Sequence, residues 1–201
     1  MLNRKINKMI KDVNCLTKKN YVRLYIVKTQ KYKKLNMKNS RILLITLFFP
    51  LIMSCQPSTE EAIKYNDGIT EQQLLVNEKV GTLMESYDSY VTEEMDEAYN
   101  NAIEQLNIGL EYTKKLKGFE DDAYFTEEAL AFFSSYREIL ENEHVRIIEL
   151  LKLPADDYGP DQIKEYEMLR SQSNMKIDKA FEDMLIIQKK FAKKYHIELS
   201  E

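Results

Sequence analysis

From Ile69 onward, apolar residues recur in alternating steps of four and three, the spacing of one face of a helix, and the alternation expected of strands is nearly absent. The first stripe runs Ile69, Gln73, Val76, Val80, Leu83, Tyr87 and Tyr90, with Thr70 and Gln73 spaced as a capping box near its start. A second stripe runs Met95, Tyr99, Ala102, Leu106, Gly109, Thr113 and Leu116, with Thr92 as its cap and Gly118 as its stop. The third helix is predicted from about Asp122 to Leu151, burying Ala129, Phe133, Tyr136, Leu140, Ile147 and Leu151, and Pro154 closes it. Gly159-Pro160 opens the fourth, because proline is favoured in the first turn of a helix. Its stripe is Ile163, Tyr166, Arg170, Ser173, Ile177, Ala180, Met184, Ile187, Phe191 and Tyr195. Steps near 3.5 residues with short connections predict an all-α fold. The expected architecture is an antiparallel up-down-up-down four-helix bundle over residues 67–201. Gly81 and Gly109, costly inside helices, are expected where two backbones approach closely.

Upstream the pattern changes. Residues 42–53 form an apolar run of twelve, shorter than the roughly 20 residues a spanning helix needs. Lys38 and Arg41 precede this run and the small Ser54 follows it, the three-part layout of an export signal over residues 37–54. Leu51-Ile52-Met53-Ser54-Cys55 then resembles the lipobox of bacterial lipoproteins, although Ile52 and Met53 are looser than the preferred residues there. The resemblance implies cleavage before Cys55, acylation of that cysteine and attachment to a membrane, most simply the outer membrane with a periplasmic or surface-exposed domain. Two acyl signals on one residue hold a protein far more firmly than a single chain does. Cys15 lies upstream of the cleavage point, so the mature chain has no free thiol and no disulfide. Residues 55–66 read as a polar tether between lipid and bundle. Residues 1–36, rich in Lys and Asn and lacking an apolar face, fit neither signal nor domain; Met37 is the expected start of translation.

The charge follows the same division. Residues 1–54 hold 13 Lys and Arg against the single acid Asp12, whereas residues 55–201 hold 16 against 32 Asp and Glu. A domain this acidic is not built to bind nucleic acid, whose affinity comes from clustered Lys and Arg.

Little in the chain carries reaction chemistry. Two histidines, no usable thiol, no glycine-rich phosphate loop and no G-x-S-x-G give no catalytic constellation and no cofactor motif. Glu141 and His144 make one Glu-x-x-His, half of the ferritin-like di-iron pattern, and support the alternative reading of a carboxylate metalloprotein. Glu143 and Arg170 stand equally far from the turn at Asp156/Asp157 and are expected to form a buried polar layer, with Tyr87 or Tyr90 as partners. Most tyrosines after Cys55 occupy core positions; Tyr65, Tyr112, Tyr124 and Tyr158 do not.

The bundle topology also sorts charge between its ends. Glu93, Glu94, Asp96 and Glu97 follow the first turn, and Asp156, Asp157 and Asp161 lie at or after the turn before the last helix. Both turns fall at the end away from the tether, making that pole the expected contact for a cationic protein or a divalent ion. Lys114, Lys115, Lys117, Lys189, Lys190, Lys193 and Lys194 gather near the tether, where they can favour anionic headgroups. The overall expectation is a lipid-anchored, non-catalytic helical binding or structural module. It is similar to the small helical surface lipoproteins of Bacteroidota and spirochaetes.

Overall fold

The computed structural model describes residues 58–120 and 122–199 of the chain. The extension, the signal segment, the Met37 start and Cys55 lie outside the described residues. All regular structure within them is helical. The first helix, α1, spans Thr59–Ser86, and α2 spans Thr92–Lys115. The third rod is composite: α3 (Tyr124–Ile139) passes through a π-helical turn (Leu140–His144) into α4 (Val145–Leu151). The fourth, α5, is Pro160–Lys194. Phe119 and Asp122 form an isolated bridge, and no strand occurs among the described residues. No helix among them is long and apolar enough to cross a membrane.

Helix α1 begins at Thr59, earlier than the predicted boundary at residue 67, so most of the expected tether is helical. Ser58 is the reason. Its hydroxyl accepts from the Glu61 amide at 3.2 Å while the Glu61 carboxylate accepts from the Ser58 amide at 2.8 Å, a complete capping box. Thr70, expected as a cap, instead lies within α1 and donates to the Asn66 carbonyl at 2.9 Å. At α2 the cap position is Val91, which has no capping side chain, and Thr92 is the first helical residue. The start of α5 is as predicted, with Gly159 at the cap, Pro160 in the first turn, and the Gly159 amide donating to Gln162 Oε1 at 3.1 Å.

The predicted stripes supply the core. Ile69, Val76, Val80, Leu83 and Tyr87 of the first rod are buried with Met95, Ala102, Leu106, Phe133, Tyr136, Leu140, Ile147, Ile177, Met184, Ile187 and Phe191. Each large side chain so removed from water contributes roughly 1.5–3 kcal/mol before conformational entropy is counted. Tyr90 is the exception in its stripe. It lies beyond the end of α1, has φ 56° and is 53% exposed.

Gly81 and Gly109, the two glycines expected at close backbone approaches, differ from expectation. Nothing lies within 4 Å of where a Cβ on Gly81 would stand, so no close approach explains it. At Gly109 the neighbour is the Phe133 ring, 2.9 Å from the same position, rather than a second backbone.

Contacts between rods are local to each level. At one end, Tyr65 of α1 donates to the Lys117 carbonyl at 3.3 Å, bonds Thr126 at the start of α3, and stacks on Phe191 near the end of α5 with ring centroids 5.8 Å apart. Midway, Tyr136 donates to Asn77 Oδ1 at 3.2 Å and Gln188 donates to Thr70 Oγ1 at 2.7 Å. Towards the other end, Lys152, just past α4, pairs with Asp96 of α2 at 2.5 Å.

Candidate functional site

Two places concentrate polar chemistry: a buried network where α1, the π turn and α5 meet, and the acidic end beyond it. In the network, His144 is fully buried. Its Nδ1 lies 2.6 Å from the Tyr87 hydroxyl and its Nε2 lies 2.9 Å from the Ser173 hydroxyl. A neutral imidazole has one donor and one acceptor nitrogen, so one hydroxyl donates to the ring and the other accepts from it. All three groups are thereby satisfied. Burial pushes the His144 pKa down to about 3, and the positive Arg170 nearby acts in the same direction. Burial likewise raises the Tyr87 phenol far above its usual range, against the opposing pull of Arg170.

Within the π turn Glu143 and His144 are both buried, while Glu141 remains at the surface. Glu141 stands 3.6 Å from Arg137, and both ring nitrogens of His144 are engaged by hydroxyls, so the two halves of the Glu-x-x-His pattern do not converge. Among the described residues no three His, Cys, Asp or Glu side chains come together as a metal site.

Glu143 and Arg170 are both buried, as predicted, at 6% and 8% exposure. They do not pair with each other. Glu143 Oε1 accepts from Lys176 at 2.8 Å, and its Oε2 is buried without a hydrogen-bond partner. The Arg170 guanidinium instead lies over two rings, 5.7 Å from the centroid of Tyr87 and 5.8 Å from that of Tyr166. Of the two expected tyrosine partners, Tyr87 joins the layer, while Tyr90 lies exposed in the turn. Lys176 also bonds Glu138 at 3.0 Å and lines a surface recess of about 180 Å³ with Ser135, Ile139, Lys179, Ala180 and Asp183.

At the acidic end, Glu93, Glu94, Glu97, Asp156, Asp157 and Asp161 are exposed, and Asp96 is half-buried against Lys152. The Asp96–Lys152 pair ties the start of α2 to the turn after α4. Residues 85–97 and 152–167 together hold eleven Asp and Glu against Lys152 and Lys164. Glu165 is further engaged by Arg146 at 2.7 Å. Burial and the neighbouring Tyr166, Tyr90 and Glu167 push the Tyr158 phenol up to about 12, and burial raises Tyr166 as well.

The opposite end is mixed. Lys114 pairs with Glu111 at 3.2 Å, Lys194 pairs with Asp122 at 3.0 Å, and the Lys190 ammonium lies 5.9 Å from the centroid of the Tyr124 ring. Tyr65, Phe119, Phe125, Phe191 and Tyr195 stack beside these pairs, and the Tyr112 hydroxyl fills the space where Gly68 lacks a side chain. Of the off-stripe tyrosines, Tyr65 and Tyr112 are thus packing residues, Tyr124 is exposed, and Tyr158 belongs to the acidic end.

No family model matches the chain, nor does any curated protein or any solved structure.

Proposed function

We propose that the chain is a lipid-anchored cell-envelope protein of the outer membrane, a non-catalytic helical module that binds a cationic partner through its acidic pole. In this reading the export signal ends at Ser54, Cys55 carries the acyl chains, and the helices form an antiparallel up-down-up-down bundle. The contacts of Tyr65 with the end of α2, the start of α3 and the end of α5 support that topology. So does the pairing of Asp96 with Lys152. With α1 starting beside the lipid, the turns after α1 and after α4 point away from the membrane, where a partner has free access.

One observation carries the reading: eleven carboxylates and only two lysines share the two segments that Asp96 and Lys152 tie together. Acids favour helix N-termini by roughly 0.3–1 kcal/mol each, which accounts for the first turns of α2 and α5. It does not account for Asp88 before α2 or for Asp156 and Asp157 in the turn. The non-catalytic part rests on the buried network. Ser173 and His144 have the spacing of a nucleophile and base, but both are enclosed in the core, where no substrate reaches them.

Charge reversal provides the test. Glu93→Lys, Glu94→Lys, Asp156→Lys and Asp157→Lys combined are expected to abolish capture of the partner in crosslinking on intact cells and to leave the helical circular dichroism unchanged. Capture at the wild-type level by that variant would remove the acidic pole as the contact surface.

A further inference from the structure

Helix α5 carries apolar side chains on two opposite faces. Ile177, Ala180, Met184, Ile187 and Phe191 turn into the core, while Met168, Met175 and Ile186 stand in solvent, 50%, 62% and 53% exposed. At about 100° per residue these three fall within about 20° of one line, on the side away from the core. Steps of four and three along that line run Met168, Gln172, Met175, Lys179, Glu182, Ile186, Lys189 and Lys193, the spacing of a seam between two helices. The exposures show that none of the described elements covers its apolar side chains. The middle of the seam, Met175, Lys179, Glu182 and Ile186, reads apolar, basic, acidic and apolar in steps of four, three and four. Running the helix backwards exchanges Lys for Glu and leaves the apolar positions apolar.

We infer that this seam is an interface between two copies of the chain, their α5 helices antiparallel about a two-fold axis level with Ala180 and Phe181. In that register Met175 of each copy packs on Ile186 of the other, and Lys179 of each meets Glu182 of the other. Charge selects both the occupant and the direction. Parallel copies would stack Lys179 on Lys179 and Glu182 on Glu182 and would set the two acidic ends side by side. Antiparallel copies pair opposite charges and hold the acidic ends apart. A partner of one sign would satisfy only one of the two central charges. Within its own helix Lys179 bonds Asp183 at 2.7 Å, with both side chains more than half exposed, and so exposed a pair contributes too little to hold the lysine back. Tyr65 of α1 stacks on Phe191 near the end of α5, so the starts of the two α1 helices lie at opposite ends of the pair. Copies anchored through Cys55 would therefore pair across two facing membranes, a consequence that rests on the lipid-anchored reading, whereas the pairing itself does not.

Sedimentation equilibrium of the unacylated full chain in mild detergent tests the pairing without any lipid anchor. The wild type is expected to reach twice its chain mass of 23.8 kDa at about 100 µM. Lys179→Glu alone, or Glu182→Lys alone, turns two attractive contacts into two repulsive ones and is expected to weaken dimerisation at least about tenfold. Both positions are exposed, so the helical circular dichroism of each variant should match that of the wild type. An equimolar mixture of the two variants again sets Glu against Lys at both contacts and is expected to restore the dimer, as is the double exchange Lys179→Glu with Glu182→Lys. A parallel pair would not respond in this way, because each single reversal leaves like charges facing like. A monomeric wild type would overturn the inference and leave the anchored, acidic-pole reading standing. Dimerisation that survives both single reversals, or a loss that neither the mixture nor the double exchange repairs, would overturn it as well.

Discussion

Replacing His144 by alanine is expected to destabilise the protein by about 3–5 kcal/mol at neutral pH. Two losses combine. The buried ring leaves a cavity, and the hydroxyls of Tyr87 and Ser173, now 2.6 and 2.9 Å from a nitrogen that is gone, are left buried without partners. The loss is also expected to depend on pH in a definite direction. In the native state the imidazole stays neutral down to about 3, whereas in the unfolded chain it takes up a proton near 6.5. Between those values the unfolded state binds more protons, so this residue lowers wild-type stability by roughly 1.4 kcal/mol for each pH unit of acidification below 6.5. Above 6.5 it contributes no pH dependence, and below about 3 no more is lost. Alanine has no such proton, so the difference between wild type and His144→Ala should narrow steadily from pH 6.5 downward. Urea unfolding of both proteins across that range measures it; parallel curves would show that the imidazole does not titrate as its burial requires.

Phe133→Ala is expected to cost a similar amount, about 3–5 kcal/mol, through the cavity it opens. The ring is fully buried, packs edge-on against Phe132 with centroids 5.4 Å apart, and lies on the α2 backbone at Gly109. That last contact gives the prediction a second part. Gly109→Ala alone would put a Cβ 2.9 Å from the ring and should destabilise by about 1–3 kcal/mol. Added to Phe133→Ala, the same methyl enters the vacated space and brings alanine's better helix propensity, so the double variant should be more stable than Phe133→Ala alone. Thermal or urea unfolding of the four proteins closes the cycle. Additive losses would mean that Gly109 and Phe133 do not constrain each other.

The helical stripes were legible because they are long and periodic: Val76, Leu83, Leu106, Phe133, Ile177 and Ile187 all fall at predicted core positions and all are buried. The start of α5 was legible because Gly159-Pro160 is local chemistry. The start of α1 was not, because Asn66, Asp67 and Gly68 interrupt the apolar period. What carries the helix through them is the remote Tyr112 hydroxyl packed over Gly68, together with the capping box at Ser58. The π turn left no mark in the periodicity. Counting residues from a turn fixes only which positions lie equally far from it, and Glu143 instead bonds Lys176, more than a helical turn beyond Arg170. His144 itself was readable as a buried histidine between Leu140 and Ile147. Tyr87 and Ser173, which bond it, were readable only as core positions, since nothing local says that residues from three rods share one level. The acidic clusters were visible in the sequence, but Tyr90 was assigned to the core stripe, and its emergence in the turn is a tertiary outcome.

The central claim is that this helical module is presented from a membrane by lipid on Cys55, with its acidic pole outward. Intact-mass and peptide mass spectrometry of the protein isolated from its native membranes tests that claim most directly. The account predicts a mature chain beginning at Cys55, its cysteine carrying acyl chains and no residue of 1–54 retained. A mature chain with Cys55 unmodified, or one retaining residues upstream of it, would contradict the account.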